Sequence, residues 1–554
     1  ELAVSVDSVT YEGAVPVLWK DVSNEYPLDK YGNEMLPEQE SIDDFVTNPI
    51  IDSQSVTGKK DLVISLTAGN HTLNIKPLEQ DLKVRLLFLA EDREVQRYDE
   101  YKDSLPKGLP PVSSIITIEA EKYAAKIDSS IRGTSVKNPA LSPYDTYKRR
   151  INVIDGNSWN SSGQKVAWEF DIKQEGIYHI GFRYSQTNYP GKPSYRKIEL
   201  DGRLLFSEME AVPFHQTKGS QYSNFVLCDE QNNPYSFYLR PGKHVISMTA
   251  IMGDAEEPYE RILKIMQEIN DISAKIRKIT GGITDKNRTW DMQVNFPDVI
   301  PKLEQCLKDI NSIYDYLKLS SNGKPSYAND LIYAADILQS LLKKPQILPN
   351  KVAYLAEGDQ SVNKHLGNML MILVKQPLNL DRIYILGEGQ ELPPAQVSIF
   401  KRIINSIKAF VYSFVPEASQ SDYADITKDS EELKVWVNRP IQYVQILQQL
   451  VDEDFNRKYN TNIQLSVMKD EQKLILSNAA GNNPDVGLGV SYYTPYDFAI
   501  RDAAKNLLDF KDFLTFYNQN YNLESLAPMC YQDGVYGAAE TVDFQVLFYR
   551  KDIL

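Results

Sequence analysis

The chain has 554 residues, 42% hydrophobic and 24% charged, with a formal net charge of −15. That length exceeds a single compact core, and about three or four domains are expected. The acidic balance excludes a nucleic-acid or anionic-membrane partner, since either needs clustered Lys and Arg. No run of about 18 apolar residues is present to span a membrane. No signal peptide opens the chain, and its abrupt start, ELAVSVDSV, is compatible with a removed leader.

Residues 1–102 read as β structure. In DLKVRLLFLAED, Val84, Leu86 and Phe88 alternate onto one side of a strand. DSLPKGLPPVSS (103–114) is rich in Pro, Gly and Ser and reads as a linker. Residues 115–253 are again β. KVAWEFDIKQEGIYHIGFRYSQ holds two alternating strands around Glu175-Gly176, and YRKIELDGRLLF reads as a hairpin turning at Asp201-Gly202. LTAGNHTLNI (66–75) and LRPGKHVISM (239–248) share Leu-x-x-Gly-x-His followed by alternation, which points to two related sandwich domains with the first incomplete, or to a common hairpin pattern recurring by chance.

From 256 to 415 the apolar period changes to 3.6. Ile262, Ile265, Met266, Ile269, Ile272, Ile276 and Ile279 form one stripe, closed by Gly281-Gly282. Leu303, Leu307, Ile310, Tyr314 and Leu317 form another, and further helices are expected over 327–343, 351–375 and 394–414. These stripes are core and carry no chemistry. VPEASQSDYADITKDSEE (415–432) reads as a linker. A β-α-β-α-β run then starts at LKVWV, with Ile441, Val444, Leu447, Val451 and Phe455 on the buried face of its first helix. NIQLSV and PDVGLGV are its next strands, and the order argues for a parallel, doubly wound sheet.

The chain contains no HExxH, no P-loop and no GxSxG. The three cysteines, Cys228, Cys306 and Cys530, are scattered and form no metal pair. None of the five histidines pairs with another at metal-ligand spacing. A non-enzymatic binding protein remains. Ligands of a doubly wound sheet sit beyond the carboxyl ends of its strands. The loops there are NRP (438–440), with Asn438 and Arg439, and SYYTPYD (491–497), with Tyr492 and Tyr493. Amides and guanidinium groups bind sugar hydroxyls, and Tyr faces cover the apolar side of a pyranose. The alternative for the two tyrosines is a pair split between core and surface. The 34 Tyr, against 19 Phe, suit sugar-rich surfaces as well as sheets.

From Leu433 to Leu554 the chain resembles the amino-terminal lobe of extracellular solute-binding proteins of ABC sugar importers, the maltose-binding-protein-like group. VWVN, DEDFNRKYNTNIQLSV, AAGNNPDV, NLLDFKDF and GVYGAAETVDFQVLFYRKDIL carry the resemblance in order. It implies cleft residues at Glu540, Thr541, Asp543 and Phe544. It also implies an oligosaccharide ligand, an ABC permease partner, and a cell-surface location through a lipid anchor removed or missing from this chain. The first lobe has not crossed to a second where the chain stops, so weak solute binding is expected of these residues alone.

Residues 115–253 resemble a carbohydrate-binding module opening at IEAE (118–121), followed by GIYHIGFRY, IELDG and LRPGKHVISM. That resemblance implies sugar contacts at Trp159 and Asn160 in DGNSWNSS, the alternative for Trp159 being that it packs in the core, and a structural calcium at Glu119 and Glu121. KQPLNLDRIYI resembles a spacer of large solute-binding lipoproteins of Gram-positive bacteria. The expected whole is multidomain: two β-sandwiches (1–105 and 115–253), a helical bundle or spacer (256–415), and a partial α/β lobe of a type II periplasmic-binding-protein fold (433–554). Its expected role is oligosaccharide capture for import. The competing roles are a non-catalytic glycan-adhesion protein and an accessory part of a polysaccharide-degrading enzyme.

Overall fold

The computed structural model describes residues 2–396 and 432–541, apart from 8, 24, 29–31, 45–48, 54, 56–60, 79–82, 90, 92–93, 220, 282–288, 322–324, 359, 440, 452–454, 460, 469–470 and 480–482, together with 547. Two compact units are present, Glu1–Val415 and Pro416–Leu554.

The first unit begins with β1 (Leu2–Val6), β2 (Val9–Ala14), β3 (Trp19–Asp21), β4 (Gln39–Ser41), β5 (Ile51–Asp52) and β6 (Leu73–Pro77). An antiparallel sheet runs β5-β2-β1-β6. Leu2, Val4 and Val6 are buried on one face of it, as a period of two requires. The sandwich expected over 1–105 is therefore one four-stranded sheet among the described residues. β3 and β4 leave it and extend the next domain's sheet, with Trp19 opposite Lys126. The strand expected around Val84, Leu86 and Phe88 belongs to no sheet among the described residues, and all three side chains are exposed.

The sandwich proper is built from β7 (Ile115–Glu119), β8 (Ala125–Lys126), β9 (Gly133–Thr134), β10 (Val153–Ile154), β11 (Lys165–Ile172), β12 (Gly176–Ser185), β13 (Ser194–Leu200), β14 (Val212–Phe214), β15 (Ser223–Val226), β16 (Phe237–Leu239), β17 (Gly242–Ile251) and β18 (Asn379–Gly387). One sheet runs β14-β13-β17-β11-β8-β3-β4. The other runs β15-β12-β18-β10-β9, with β16 beside β12 and β7 beside β18. β11 and β12 go to opposite sheets, so the chain at Glu175-Gly176 crosses the sandwich and does not close a ladder. The turn at Asp201-Gly202 is tight, with Leu200 and Arg203 exchanging both backbone bonds at 3.0 Å. The layer between the sheets holds Trp159, Trp168, Ile180, Phe182, Phe206, Phe214 and Ile383, all buried.

β18 corrects the expected boundaries. The expected sandwich ends at 253 and the expected helical domain runs to 415. Asn379–Gly387 instead returns to the middle of a sheet, between β12 and β7. The helices α1 (Glu256–Thr280), α2 (Val299–Ser320), α3 (Asn329–Leu342) and α4 (Val362–Leu373) are thus inserted between the last two strands of the sandwich. Their faces meet in one core, with Ile262, Ile269, Ile276, Leu303, Ile310, Leu331 and Leu366 buried. Gly281 ends α1 in the left-handed region at φ +69°. Ile279, in the last turn of α1, departs from the predicted stripe and is 43% exposed. Residues 397–414, part of a further expected helix, lie outside the described residues.

Both ends of the insertion meet at β13. Tyr195 pairs with Ile251 in the ladder, its N–H donates to Gln376 Oε1 at 3.0 Å, and its hydroxyl donates to Asp254 Oδ2 at 2.8 Å. The next residue, Arg196, is fully buried and donates to the carbonyls of Tyr195, Trp159 and Gln376 at 2.9, 3.2 and 2.9 Å. Burial pulls its guanidinium down to about 9. Those three carbonyls offset the cost of enclosing a charge.

The second unit has a parallel sheet in the order β20-β19-β21, formed by β19 (Glu432–Val437), β20 (Asn462–Val467) and β21 (Val486–Leu488). α5 (Ile441–Leu450) joins β19 to β20, and α6 (Gln472–Ala479) joins β20 to β21. Val435, Val437, Val444 and Leu465 form its small core, with Leu447 and Val451 against them. Phe455, expected on that buried face, is 42% exposed and rests against Tyr459. The amide of Gln448 accepts from Leu465 N–H at 2.9 Å and donates to Ile463 O at 3.2 Å, along the edge of β20 that pairs with no strand among the described residues.

Candidate functional site

The sheet order places β19 between its two successors, and the loops that follow β19, β20 and β21 leave from the same, carboxyl end of the parallel sheet. Ligands of an open parallel sheet sit at that end. Glu471, just past β20, is central to the contacts among these loops. Glu471 Oε1 accepts from Asn438 Nδ2 at 3.2 Å, Ser491 N–H at 2.9 Å and Ser491 Oγ at 2.9 Å. Oε2 accepts from Thr494 Oγ1 at 2.8 Å. One carboxylate therefore ties together the loops after all three strands.

Arg439 forms the second part. Its Nη1 donates to the carbonyls of Asn438 and Gly489, each at 3.0 Å, and its Nη2 to Glu540 Oε2 at 3.3 Å. Tyr443 on α5 donates its hydroxyl to Glu540 Oε1 at 3.4 Å. Gly489 has φ +69°, and a Cβ there would stand 2.5 Å from Arg439 Nη1, so a side chain is excluded twice over. Arg439 and Glu540 are about one-third exposed, which makes their pair an orienting contact more than a source of stability.

Tyr492 and Tyr493 follow Ser491 and open α7 (Thr494–Ile500). They are 68% and 54% exposed and meet edge to face, with centroids 5.5 Å apart. Neither is a core residue, so the split between core and surface is not seen. Thr541 is exposed beside Glu540, and Asp543 and Phe544 lie outside the described residues. The structure thus brings Asn438, Arg439 and Glu540 together, with the two tyrosines on the same loop as Ser491. Sequence reading missed Glu471 and Tyr443. Glu471 sits in an ordinary polar turn, MKDEQK, and only the convergence of three loops distinguishes it.

Such a rim can hydrogen-bond hydroxyl groups through amide, guanidinium, carboxylate and hydroxyl, and can stack aromatic faces on a sugar ring.

The residues expected to bind in the sandwich are placed differently. Trp159 is fully buried. Its Nε1–H donates to Gln164 O at 3.1 Å, and the Arg196 guanidinium lies 4.1 Å from its ring centre. It packs, and it has no face for a ligand. Asn160 is half-buried and spent on the strand that returns from the bundle: its carbonyl accepts from Gln376 N–H at 2.6 Å and its Oδ1 from Lys375 Nζ at 3.1 Å.

Glu119 pairs with Lys122 at 2.7 Å and faces Arg382 at 4.0 Å. Glu121 is buried with neither carboxylate oxygen bonded, and burial pushes it up to about 9. An orphaned carboxyl suits a hard cation. No group of three His, Cys, Asp or Glu gathers around them among the described residues.

Residues 257–373 match the family "Bacterial solute-binding protein, 4-helix bundle domain". The chain therefore carries the four-helix bundle of bacterial solute-binding proteins, and it is the inserted element α1–α4. No curated protein matches the chain. Among solved structures, a family 35 carbohydrate-binding module from Clostridium thermocellum is 19% identical over 25% of this chain and 88% of that one, with a TM-score of 0.19. CBM35 from Cellvibrio japonicus Abf62 is 11% identical over 25% of this chain and 82% of that one, with a TM-score of 0.18. A Paenibacillus cycloisomaltooligosaccharide glucanotransferase is 19% identical over 25% of this chain and 16% of that one, with a TM-score of 0.19. At such scores these likenesses say nothing of ligands. No helix among the described residues is long and apolar enough to cross a membrane.

Proposed function

We propose that this chain belongs to the extracellular solute-capturing component of an ABC importer, with an oligosaccharide as its cargo. The observation that carries the reading is the bundle at 257–373, which matches a domain of bacterial solute-binding proteins. The cluster of polar side chains at the carboxyl ends of β19, β20 and β21 supports it, since a doubly wound sheet receives ligands there.

In this reading Asn438, Arg439 and Glu540 bind sugar hydroxyls, and Tyr492 and Tyr493 cover ring faces. Glu471 acts one step back, by holding the three loops in register. Buried polar groups left unpaired are costly, so a fixed rim discriminates among hydroxyl patterns. Release to a permease would follow opening of the closed form. A lipid anchor would hold the receptor at the cell surface.

Isothermal titration of the full-length protein against a panel of plant and host oligosaccharides tests this. Saturable binding near micromolar, about −8 kcal/mol, which weakens at least about tenfold on Tyr492→Ala with Tyr493→Ala, is the expected result. Binding unchanged by that pair and by Arg439→Ala would overturn the site. Silence across the panel from a folded protein would overturn the ligand class.

A further inference from the structure

Two stretches of the first unit are built on one plan. Asp7, in the turn after β1, has φ +53°, and Asp201, in the turn after β13, has φ +52°. His71 Nδ1 lies 2.7 Å from Asp7 Oδ2, and its Nε2 lies 2.8 Å from Thr67 O. His244 Nδ1 lies 2.7 Å from Asp201 Oδ2, and its Nε2 lies 2.8 Å from Arg240 O. In each case the other aspartate oxygen accepts the N–H of the residue after the histidine at 2.9 Å, from Thr72 and from Val245. Gly69 and Gly242, two residues before each histidine, have φ +145° and +141°. The ladders share one register: Val6 faces Leu73 and Val4 faces Ile75, as Leu200 faces Ile246 and Ile198 faces Met248.

The parallel continues downstream. RLLFLAE (85–91) matches RIYILGE (382–388) at Arg, Leu and Glu, with an apolar run between the Arg and the Leu in both, and Arg382–Gly387 lies in β18. In the complete copy the bundle stands between β17 and β18. In the first copy, β6 is followed directly by this apolar segment. The two copies differ in what surrounds it. Ile383, Tyr384, Ile385 and Leu386 are at most 2% exposed, between β12 and β7, whereas Leu86, Leu87, Phe88 and Leu89 are 67, 45, 66 and 67% exposed. A continuous apolar run of this kind belongs to a strand covered on both faces, and left open it is an association hazard.

We propose that Arg85–Leu89 is the central strand of a second sandwich sheet, and that its two flanking strands, of the β7 and β12 kind, are carried by polypeptide ahead of Glu1. The order of the complete copy supports this source. There the strands flanking β18 come before β13, the counterpart of β1, in the chain. The first copy as a whole is then the later half of a sandwich that lacks the inserted bundle.

Hydrogen exchange, followed residue by residue, tests it on the natural protein with its sequence ahead of Glu1 and on residues 1–554. Amides of Leu86–Leu89 are expected to exchange at least about 100-fold more slowly in the longer protein. Phe88→Asp, or Leu86→Asp, should abolish that protection while the amides of β18 stay protected, which controls for folding. Fast exchange at Leu86–Leu89 in the longer protein would overturn the proposal. So would a natural chain that starts at Glu1. Protection in residues 1–554 that appears only with concentration-dependent dimerisation in sedimentation would overturn it too, by assigning the strand to a second copy.

Discussion

Arg183 on β12 is ion-paired with Asp381 on β18, both almost fully buried and 198 residues apart in sequence. The whole helical bundle lies between them in the chain. Asp381→Asn leaves the guanidinium enclosed without its counter-ion, and a loss of about 3–5 kcal/mol is expected. Replacing both by apolar residues, Arg183→Met with Asp381→Leu, should recover much of it. Denaturant unfolding of the two variants checks this, and a single variant as stable as the parent would deny the pair its role.

Excision of the bundle separates insertion from structural necessity. Tyr195 touches both Asp254 and Gln376, so the two ends of the bundle are adjacent. Replacing residues 255–375 with a short Gly/Ser link should leave a folded sandwich. Ending the chain at residue 253 should not, because it removes β18 from the centre of a sheet. Near-ultraviolet circular dichroism and thermal melting of both proteins decide between these outcomes.

Glu471 accepts four hydrogen bonds from the loops after β19 and β21. Glu471→Ala should destabilise the second unit by about 1–3 kcal/mol through the donors it leaves unpaired. It should also weaken oligosaccharide binding by the full-length protein without removing any group assigned to the ligand. Calorimetric melting and titration of the same variant read the two effects, and Glu471→Gln should lie between the variant and the parent.

Glu121 gives the sandwich a pH slope. Burial raises its carboxyl to about 9, from 4.5 in the unfolded chain. The folded protein therefore holds a proton that the unfolded chain has lost across that window. Stability falls as pH rises between those limits, by up to about 1.4 kcal/mol per pH unit. Glu121→Gln should flatten the slope and melt higher than the parent at pH 8. Calcium that raises the melting temperature of the parent at pH 8, and not of the variant, would instead seat a cation on this carboxyl.

His244 adds a slope of the same sign. Burial disfavours its charged form, but the hydrogen bonds to Arg240 O and Asp201 outweigh that and raise its pKa. Both ring nitrogens face acceptors, so the imidazolium satisfies both. Its contribution is complete below the unfolded value of 6.5 and is lost as pH rises through the higher folded value. His244→Gln should remove the part of the slope that lies near neutrality, read from melting curves between pH 6 and 8.

Local periodicity by itself determined the kinds of element: the Ile262–Ile276 stripe of α1, the alternation of β11 and β13, and the β-α-β-α-β order after Leu433. Those patterns record which side of an element is buried, and hydrophobic burial is enough to impose them. The echo at His71 and His244 was also legible, because a left-handed turn residue and a glycine restrict the sequence locally. Tertiary structure alone decided which elements are neighbours. DRIYILG carries a strand's apolar run but no record that its partners lie on the far side of the bundle. KVAWEFDI and GIYHIGFRYS are adjacent in sequence yet belong to opposite sheets. The sequence leaves Trp159 open between packing and sugar contact, and only the Arg196 guanidinium against its buried ring decides for packing; nothing local marks Glu471, where three loops converge. Pairing across long separations is set by the summed packing of the whole sandwich, and no short window of sequence contains that sum.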